Sequence, residues 1–161
     1  MAKREHDGRE RVFLVVVDES EEMRVALRYA SRRARTVGGR VALLYVIEPS
    51  YFMQWMAVEN LEQEERRADA EALLQRLSED VNNMTGAMPV LYVREGPRRD
   101  ELLKLIEEDP SISILVLAAS TSPTGPGPLI AALTGKFVNK IRVPVTIVPG
   151  NLTDEQIDAL A

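Results

Sequence analysis

The stretch from Ile114 to Gly150, ILVLAASTSPTGPGPLIAALTGKFVNKIRVPVTIVPG, decides how the rest of the chain is interpreted. It predicts a buried strand, a loop rich in Ser, Thr, Gly and Pro, a helix, and a second apolar strand. The loop contains Gly125, and nine residues separate this glycine from Gly135, which Lys136 follows. A glycine loop between a strand and a helix start often binds phosphate, because the backbone can approach closely and helix N–H groups are free. The stretch therefore indicates a candidate phosphate site.

The same alternation of apolar strand and amphipathic helix extends upstream through the chain. Residues 11–17 (RVFLVVV) and 41–47 (VALLYVI) are almost wholly apolar, which is typical of central parallel strands covered on both faces. Ser20 is expected to cap the first helix, and Gly38 with Gly39 to end it. In chain order the sequence predicts strands over 11–17, 41–47, 90–93, 112–117 and 143–148, alternating with helices over 23–37, 59–83, 99–108 and 129–141.

This order predicts the fold class. Strands that alternate with helices form a parallel sheet with right-handed crossovers. We therefore expect an α/β fold of Rossmann-like type, a single doubly wound parallel five-stranded sheet with helices on both faces. Pro144, near the start of the fifth strand, favours an edge position for that strand.

The chain is expected to form one folded domain. Its 161 residues suit a single core. We expect a disordered or frayed segment over residues 1–10, the main domain over 11–150, and a tail over 151–161. In the tail, Thr153 to Gln156 fit a capping box that begins a short helix. The segment 51–56 (YFMQWM) is interpreted as a small hydrophobic cluster under the long helix rather than a ligand cover.

Composition excludes several classes of protein. There is no cysteine and only one histidine, His6, which argues against thiolate metal sites, disulfides and nucleophilic triads. The formal net charge of −5 gives no basic footprint for nucleic acid. No apolar run approaches the ~20 residues that span a bilayer, and the first residues lack an apolar signal stretch. A cytoplasmic protein without nucleic-acid or membrane partners is expected.

Strand ends point to one crevice. Doubly wound sheets bind ligands beyond the carboxyl ends of the strands, where the strand order reverses. The first and fourth strands are the expected pair at this point. Asp18, which ends the first strand, would then face the loop over 118–127. Arg98 and Arg99 start a helix close to other strand ends, and we interpret both as solvated charges.

Four pieces of sequence, taken in order, resemble the universal stress protein family over residues 11–150. They are VVVDESEEMRVAL at 15–27, LLYVIEP at 43–49, VREGPRRDEL at 93–102, and the closing ILVLA…G…TGKFVNKIRVPVTIVP. The resemblance implies a five-stranded sheet of order 3-2-1-4-5 and a dimer. It also implies one of two branches, of which one binds ATP and the other does not.

The ATP-binding branch has the motif Gly-x2-Gly-x9-Gly-[Ser/Thr] after the fourth strand. Gly125 and Gly135 match its last two glycines, and Lys136 replaces the closing hydroxyl residue. The first glycine falls at Ala118 by strand alignment, or at Ser122 by strict spacing. Asp18 would contact the nucleoside, and the backbone of Val46 would meet adenine. ATP is the implied ligand, and Mg²⁺ is expected to accompany it. We assign no catalytic or metal-binding residue. The candidate nucleotide-binding residues are Asp18, Val46, Ala118, Gly125, Gly135, Lys136 and Phe137.

The departures from this motif have physical consequences. Ala118 adds a Cβ where a backbone should approach a ligand closely. Three loop prolines each lack an N–H donor: Pro123, Pro126 and Pro128. Lys136 removes a hydroxyl and adds a mobile cation. The loop is either a variant phosphate cradle or one that has lost its ligand.

We therefore expect a non-enzymatic stress-response protein that binds or senses ATP as a homodimer paired through the fifth-strand edge. One alternative is a nucleotide-free interaction module of the same family, and another is a weak ATPase. A P-loop NTPase is excluded, because GxxxxGK[ST] needs glycine at position 130, where this chain has Ile.

Overall fold

The structure is a computed structural model that describes residues 9–49 and 59–161. The predictions for residues 1–8 and for the segment 51–56 lie outside the described residues. The strands are β1 (Val12–Val17), β2 (Arg40–Ile47), β3 (Val90–Glu95), β4 (Ile112–Ala119) and β5 (Val145–Pro149). The α-helices are α1 (Met23–Val37), α2 (Glu59–Thr85), α3 (Arg98–Glu108), α4 (Pro128–Thr134) and α5 (Asp154–Leu160).

The five strands form one parallel sheet in the order β3-β2-β1-β4-β5. The predicted fold class and strand order are therefore confirmed. β1 lies between β2 and β4, and β5 occupies an edge. From β1 the chain goes first to β2, on one side, and later to β4, on the other side. The strand order therefore reverses between β1 and β4, and the expected crevice lies between their carboxyl ends.

Strand β1 passes through the middle of the core and is buried along its whole length. Its side chains alternate between two apolar clusters, as the pleat of a strand requires. Val12, Leu14 and Val16 pack with side chains of α3 and α4. Phe13, Val15 and Val17 pack with α1 and α2. Burial on both faces is the physical reason for the uninterrupted apolar run.

The first helix covers the predicted residues 23–37, but its N-cap is not the predicted residue. Glu22, not Ser20, is the N-cap residue of α1, and it makes no side-chain cap. Ser20 lies two residues before this N-cap, in a turn where its N–H donates to Asp18 Oδ1 at 2.8 Å and its hydroxyl donates to the same oxygen. The helix ends as predicted at Gly38, whose φ of 70° lies in the left-handed region.

The helix predicted over 129–141 is shorter in the structure. α4 ends at Thr134, and a separate 3-10 turn covers Val138–Lys140. Gly135 has φ −111° and ψ −112°, which leaves the helical region. The N–H of Phe137 then donates to Ala132 O at 3.0 Å and closes the helix end. Helical spacing of apolar residues did not reveal this break.

The C-terminal helix α5 packs on α1. Thr153 and Gln156 form the predicted capping box. Ile157 is fully buried, whereas Leu160 is 66% exposed. Arg28 of α1 donates two hydrogen bonds to Asp158, at 2.9 and 2.8 Å. One apolar anchor and one bidentate ion pair therefore hold α5 in place.

Candidate functional site

A small cavity lies between the carboxyl ends of β1 and β4. It encloses about 90 Å³ and is bounded by the starts of α1 and α4. Asp18, Ala118 and Gly127 belong to its lining. Its volume is well below the roughly 300–1,000 Å³ of ordinary ligand pockets. Alone, this cavity is too small for a nucleotide.

A larger cavity of about 370 Å³ lies on the β2 side of Asp18. Val46 and Glu48 line it from the end of β2, and Arg66 lines it from α2. Asp18 and Arg98 belong to the linings of both cavities, so the two spaces adjoin at these side chains. We call the two cavities together the crevice. The larger cavity falls within the usual size of a small-molecule pocket.

Asp18 is held by a local turn at the end of β1. Its Oδ1 accepts hydrogen bonds from the N–H and the hydroxyl of Ser20. Within the described residues, Oδ2 accepts no hydrogen bond. The half-buried carboxylate therefore has a fixed orientation and a free acceptor atom at the junction of the two cavities.

Val46 lies in the part of β2 that extends beyond the end of β1. The ladder between these strands ends with Val17 opposite Tyr45, whereas the ladder to β3 continues as far as Ile47. The side chain of Val46 is buried in the core. What Val46 adds to the crevice is therefore its backbone, beside Asp18 and at the open end of the β1 ladder.

Several N–H groups of the loop after β4 donate hydrogen bonds to acceptors in the same loop. Ser120 N–H donates to Pro126 O at 3.0 Å, and Gly125 N–H donates to Ser122 O at 3.2 Å. The N–H groups of Ser122 and Thr124 donate to serine hydroxyls inside the loop. Gly125 has φ 126°, a conformation that favours glycine, but it does not line the crevice. These donors are already engaged within the loop.

The residues after α4 lie apart from the crevice lining. Lys136 and Phe137 form a small cationic cluster, in which the ring of Phe137 has the guanidinium of Arg99 at 4.0 Å and the ammonium of Lys136 at 5.9 Å from its centroid. A Cβ at Gly135 would meet Ala131 O, in its own helix, at 3.0 Å. Of the predicted residues, the crevice lining includes Asp18, Val46 and Ala118 and does not include Gly125, Gly135, Lys136 and Phe137.

Arg98 is the residue that sequence reasoning undervalued. It is half-buried and lines both cavities, and its Nε is buried without a hydrogen-bond partner in the described part of the chain. Its backbone N–H donates to Glu48 Oε1 at 3.2 Å. What indicated Arg98 in the sequence was its position after Gly96 and Pro97, directly beyond β3. Only the packing of α3 shows that the side chain reaches the crevice.

The charged lining of the crevice is mainly acidic. Among the described residues, the lining has two guanidinium groups, from Arg66 and Arg98, and five carboxylates, from Asp18, Glu19, Glu22, Glu48 and Asp69. Arg66 donates to the carbonyl oxygen of Glu48 at 2.9 Å. Among the described residues, no group of three or more His, Cys, Asp or Glu side chains is placed to hold a metal ion. No helix in the same residues is long and apolar enough to cross a membrane.

Comparison with known proteins agrees with this architecture. The profile of a family described as the universal stress protein family matches residues 10–149. No curated protein matches the chain by sequence. Among solved structures, the universal stress protein UspA from Lactobacillus plantarum superposes with a TM-score of 0.70 at 17% identity, over 88% of this chain and 99% of that one.

Two further similar structures were solved with nucleotides. One is a universal stress protein in complex with cAMP, with TM-score 0.61 and 14% identity over 89% of this chain and 99% of that one. The other is the universal stress protein from Archaeoglobus fulgidus in complex with dAMP, with TM-score 0.54 and 15% identity over 87% of this chain and 97% of that one. At these identities the likeness shows a shared fold.

Proposed function

The chain belongs to the universal stress protein family, and from this premise we propose that it binds an adenine nucleotide in the crevice as a non-enzymatic stress-response protein. The observation that carries the proposal is the cavity of about 370 Å³ between Asp18 and the end of β2. The nucleotide complexes of the similar structures, with cAMP and with dAMP, support the ligand class.

The geometry suits a nucleoside in three respects. The free Oδ2 of Asp18 is an acceptor for ribose hydroxyl groups. The backbone of Val46 offers polar groups to the edge of a base, next to buried apolar side chains. The cavity has the size of a small-molecule pocket. ATP is the ligand that the sequence resemblance implies, and ATP with Mg²⁺ is included in the proposal.

Calorimetry on protein that has been unfolded and refolded, to remove any carried ligand, tests this function. Adenosine, AMP, cAMP, ADP and ATP with and without Mg²⁺ are titrated in turn. We expect saturable binding of at least one of them. Asp18→Asn removes a charged acceptor and is expected to weaken this binding about tenfold or more. Asp80→Asn, at an exposed position on α2, is the matched control and is expected to bind like the wild type. No heat with any ligand at millimolar concentration contradicts the proposal.

The second candidate function is a nucleotide-free interaction module. The specific observation in its favour is the loop after β4, whose N–H groups bond within the loop. The same titrations separate the two functions, because a module of this kind gives no heat with any nucleotide. A weak ATPase would instead release phosphate from ATP in proportion to time and protein concentration, and we expect no such release.

Assembly is part of the proposal. We expect a homodimer in which the outer edges of two β5 strands pair antiparallel across a two-fold axis. A cytoplasmic location, expected from the sequence, stays a prediction. So does the division into a segment over 1–10, a domain over 11–150 and a tail over 151–161.

A further inference from the structure

Arg98 is placed to act on a ligand rather than on the protein. It is the first residue of α3, and with Asp18 it is one of the two residues that line both cavities of the crevice. Its position at the junction means that a ligand filling the larger cavity and extending towards the β4 loop passes its side chain.

The hydrogen bonding of Arg98 is incomplete in the described residues. Its Nε is buried and donates to nothing there, and no carboxylate in the same residues lies within ion-pair distance of its guanidinium. A buried charged donor without a partner is costly. A phosphate in the crevice can pair with this guanidinium, because the guanidinium fork matches phosphate geometry.

The rest of the crevice offers little to additional phosphates. The described part of the chain supplies five carboxylates and two guanidinium groups to its lining, so a ligand with several negative charges meets repulsion there. In the loop after β4, the N–H groups of Ser120 and Gly125 bond to loop carbonyls, and those of Ser122 and Thr124 bond to loop hydroxyls. The three loop prolines have no N–H. Most of the N–H donors of this loop are therefore already occupied or missing.

We propose that the crevice selects an adenine nucleotide with a single phosphate group, and that Arg98 binds this phosphate. The inference rests on the proposed function, since it specifies how many phosphate groups the bound nucleotide carries and which residue binds the phosphate. A nucleoside monophosphate and a cyclic monophosphate share the required chemistry. ADP and ATP place further charge among the carboxylates and bind more weakly.

The test compares adenosine, AMP, cAMP and ATP on refolded wild type and two variants, Arg98→Gln and Arg99→Gln. Wild type is expected to bind AMP or cAMP more tightly than both adenosine and ATP. Arg98→Gln is expected to weaken AMP and cAMP about tenfold or more, since one charge-assisted contact is lost, and to leave adenosine unchanged. Arg99→Gln is the matched control, because Arg99 lies on the ring of Phe137 and lines neither cavity.

The outcomes separate the two proposals. If adenosine and the nucleotides all fail to bind, the proposed function is wrong, and the assignment of Arg98 fails with it. If ATP binds wild type more tightly than AMP and cAMP, or if Arg98→Gln weakens adenosine as much as AMP, nucleotide binding survives and the single-phosphate assignment is overturned. Circular dichroism of Arg98→Gln confirms that a loss of binding is not a loss of fold.

Discussion

Single residues determine how closely the elements around the crevice can pack. Gly150 follows β5, and a Cβ at this position would lie 2.1 Å from Ala119 O and 3.1 Å from the Cβ of Glu22. The end of β4 and the start of α1 both line the smaller cavity. The missing side chain of Gly150 therefore allows the backbone contact that keeps this end of the sheet compact.

Gly150→Ala is expected to destabilise the protein by about 1–3 kcal/mol, as overpacking usually does. The cause is a clash with a backbone oxygen that has no rotamer to change. Denaturant unfolding measures the loss. Asn151→Ala, at the neighbouring exposed position, is the control and should stay within about 0.5 kcal/mol of the wild type. Equal stability of the two variants would show that the strand ends can separate without cost.

Tyr92 gives a second prediction for a single residue. Burial, and then a hydrogen bond to the carboxylate of Asp109, raise the pKa of Tyr92 from 10.0 to about 12. A raised pKa means that folding favours the protonated phenol, so this stabilisation is present below pH 10 and is lost as the pH rises through 12. The free energy of unfolding should therefore fall more steeply between pH 10 and 12 in wild type than in Tyr92→Phe. Parallel pH curves for the two proteins would contradict it.

At the scale of elements, hydrophobic periodicity predicted which segments are helices but not all of their ends. The N-cap of α1 is Glu22 rather than Ser20, which hydrogen-bonds to Asp18, and α4 ends at Thr134, seven residues before the predicted end. Both differences come from local hydrogen bonds and backbone angles that a pattern of apolar residues does not encode. The capping box of α5 was predicted because its two residues and their spacing define the bonds themselves.

The packing of α5 on α1 depends on charge as well as on Ile157. Hydrogen bonds from Arg28, together with the nearby Arg32, hold the pKa of Asp158 below its usual value of 3.8. A lowered carboxylate pKa contributes stability above pH 3.8 that is lost as the pH falls below it. Asp158→Asn should therefore lower the thermal midpoint at pH 7, and its difference from wild type should shrink as the pH falls below 3.8.

Asp80→Asn provides the control for this experiment, since Asp80 is exposed on α2 and has no ion pair in the described residues. It should leave the midpoint unchanged at both pH values. A difference between Asp158→Asn and wild type that persists undiminished in acid would mean that packing, not charge, explains the effect.

At the scale of the whole molecule, the sheet has two edge strands that could pair with another chain. β3 forms one edge and β5 the other. Each carries one large exposed apolar side chain, Leu91 at 36% and Ile147 at 40% exposure. Unpaired strand edges are templates for pairing with another chain. The proposed dimer uses only the β5 edge, so the two positions form a matched pair.

Light scattering is expected to give twice the chain mass of 18.0 kDa for the wild type. Ile147→Lys places a charge on the proposed β5 interface and should shift the mass to that of a monomer. Leu91→Lys, on the opposite edge, should remain a dimer. A monomeric wild type, or dissociation by Leu91→Lys alone, would contradict pairing through β5.

The sequence by itself determined the α/β class and the alternation of strands and helices, because buried parallel strands and amphipathic helices impose periods that local sequence carries. The family came from the resemblance of four sequence pieces taken in order. The sequence also predicted Asp18 from a strand end and Val46 from the family resemblance, and both line the crevice. The sequence did not determine that Arg98 lines the crevice or that the loop after β4 bonds to itself. The first feature depends on the long-range packing of α3 beside β2, and the second on short-range hydrogen bonds in an irregular loop; neither leaves a periodic signal in the sequence. The fold was therefore predictable from local pattern, whereas the chemistry of the crevice was decided by the tertiary structure.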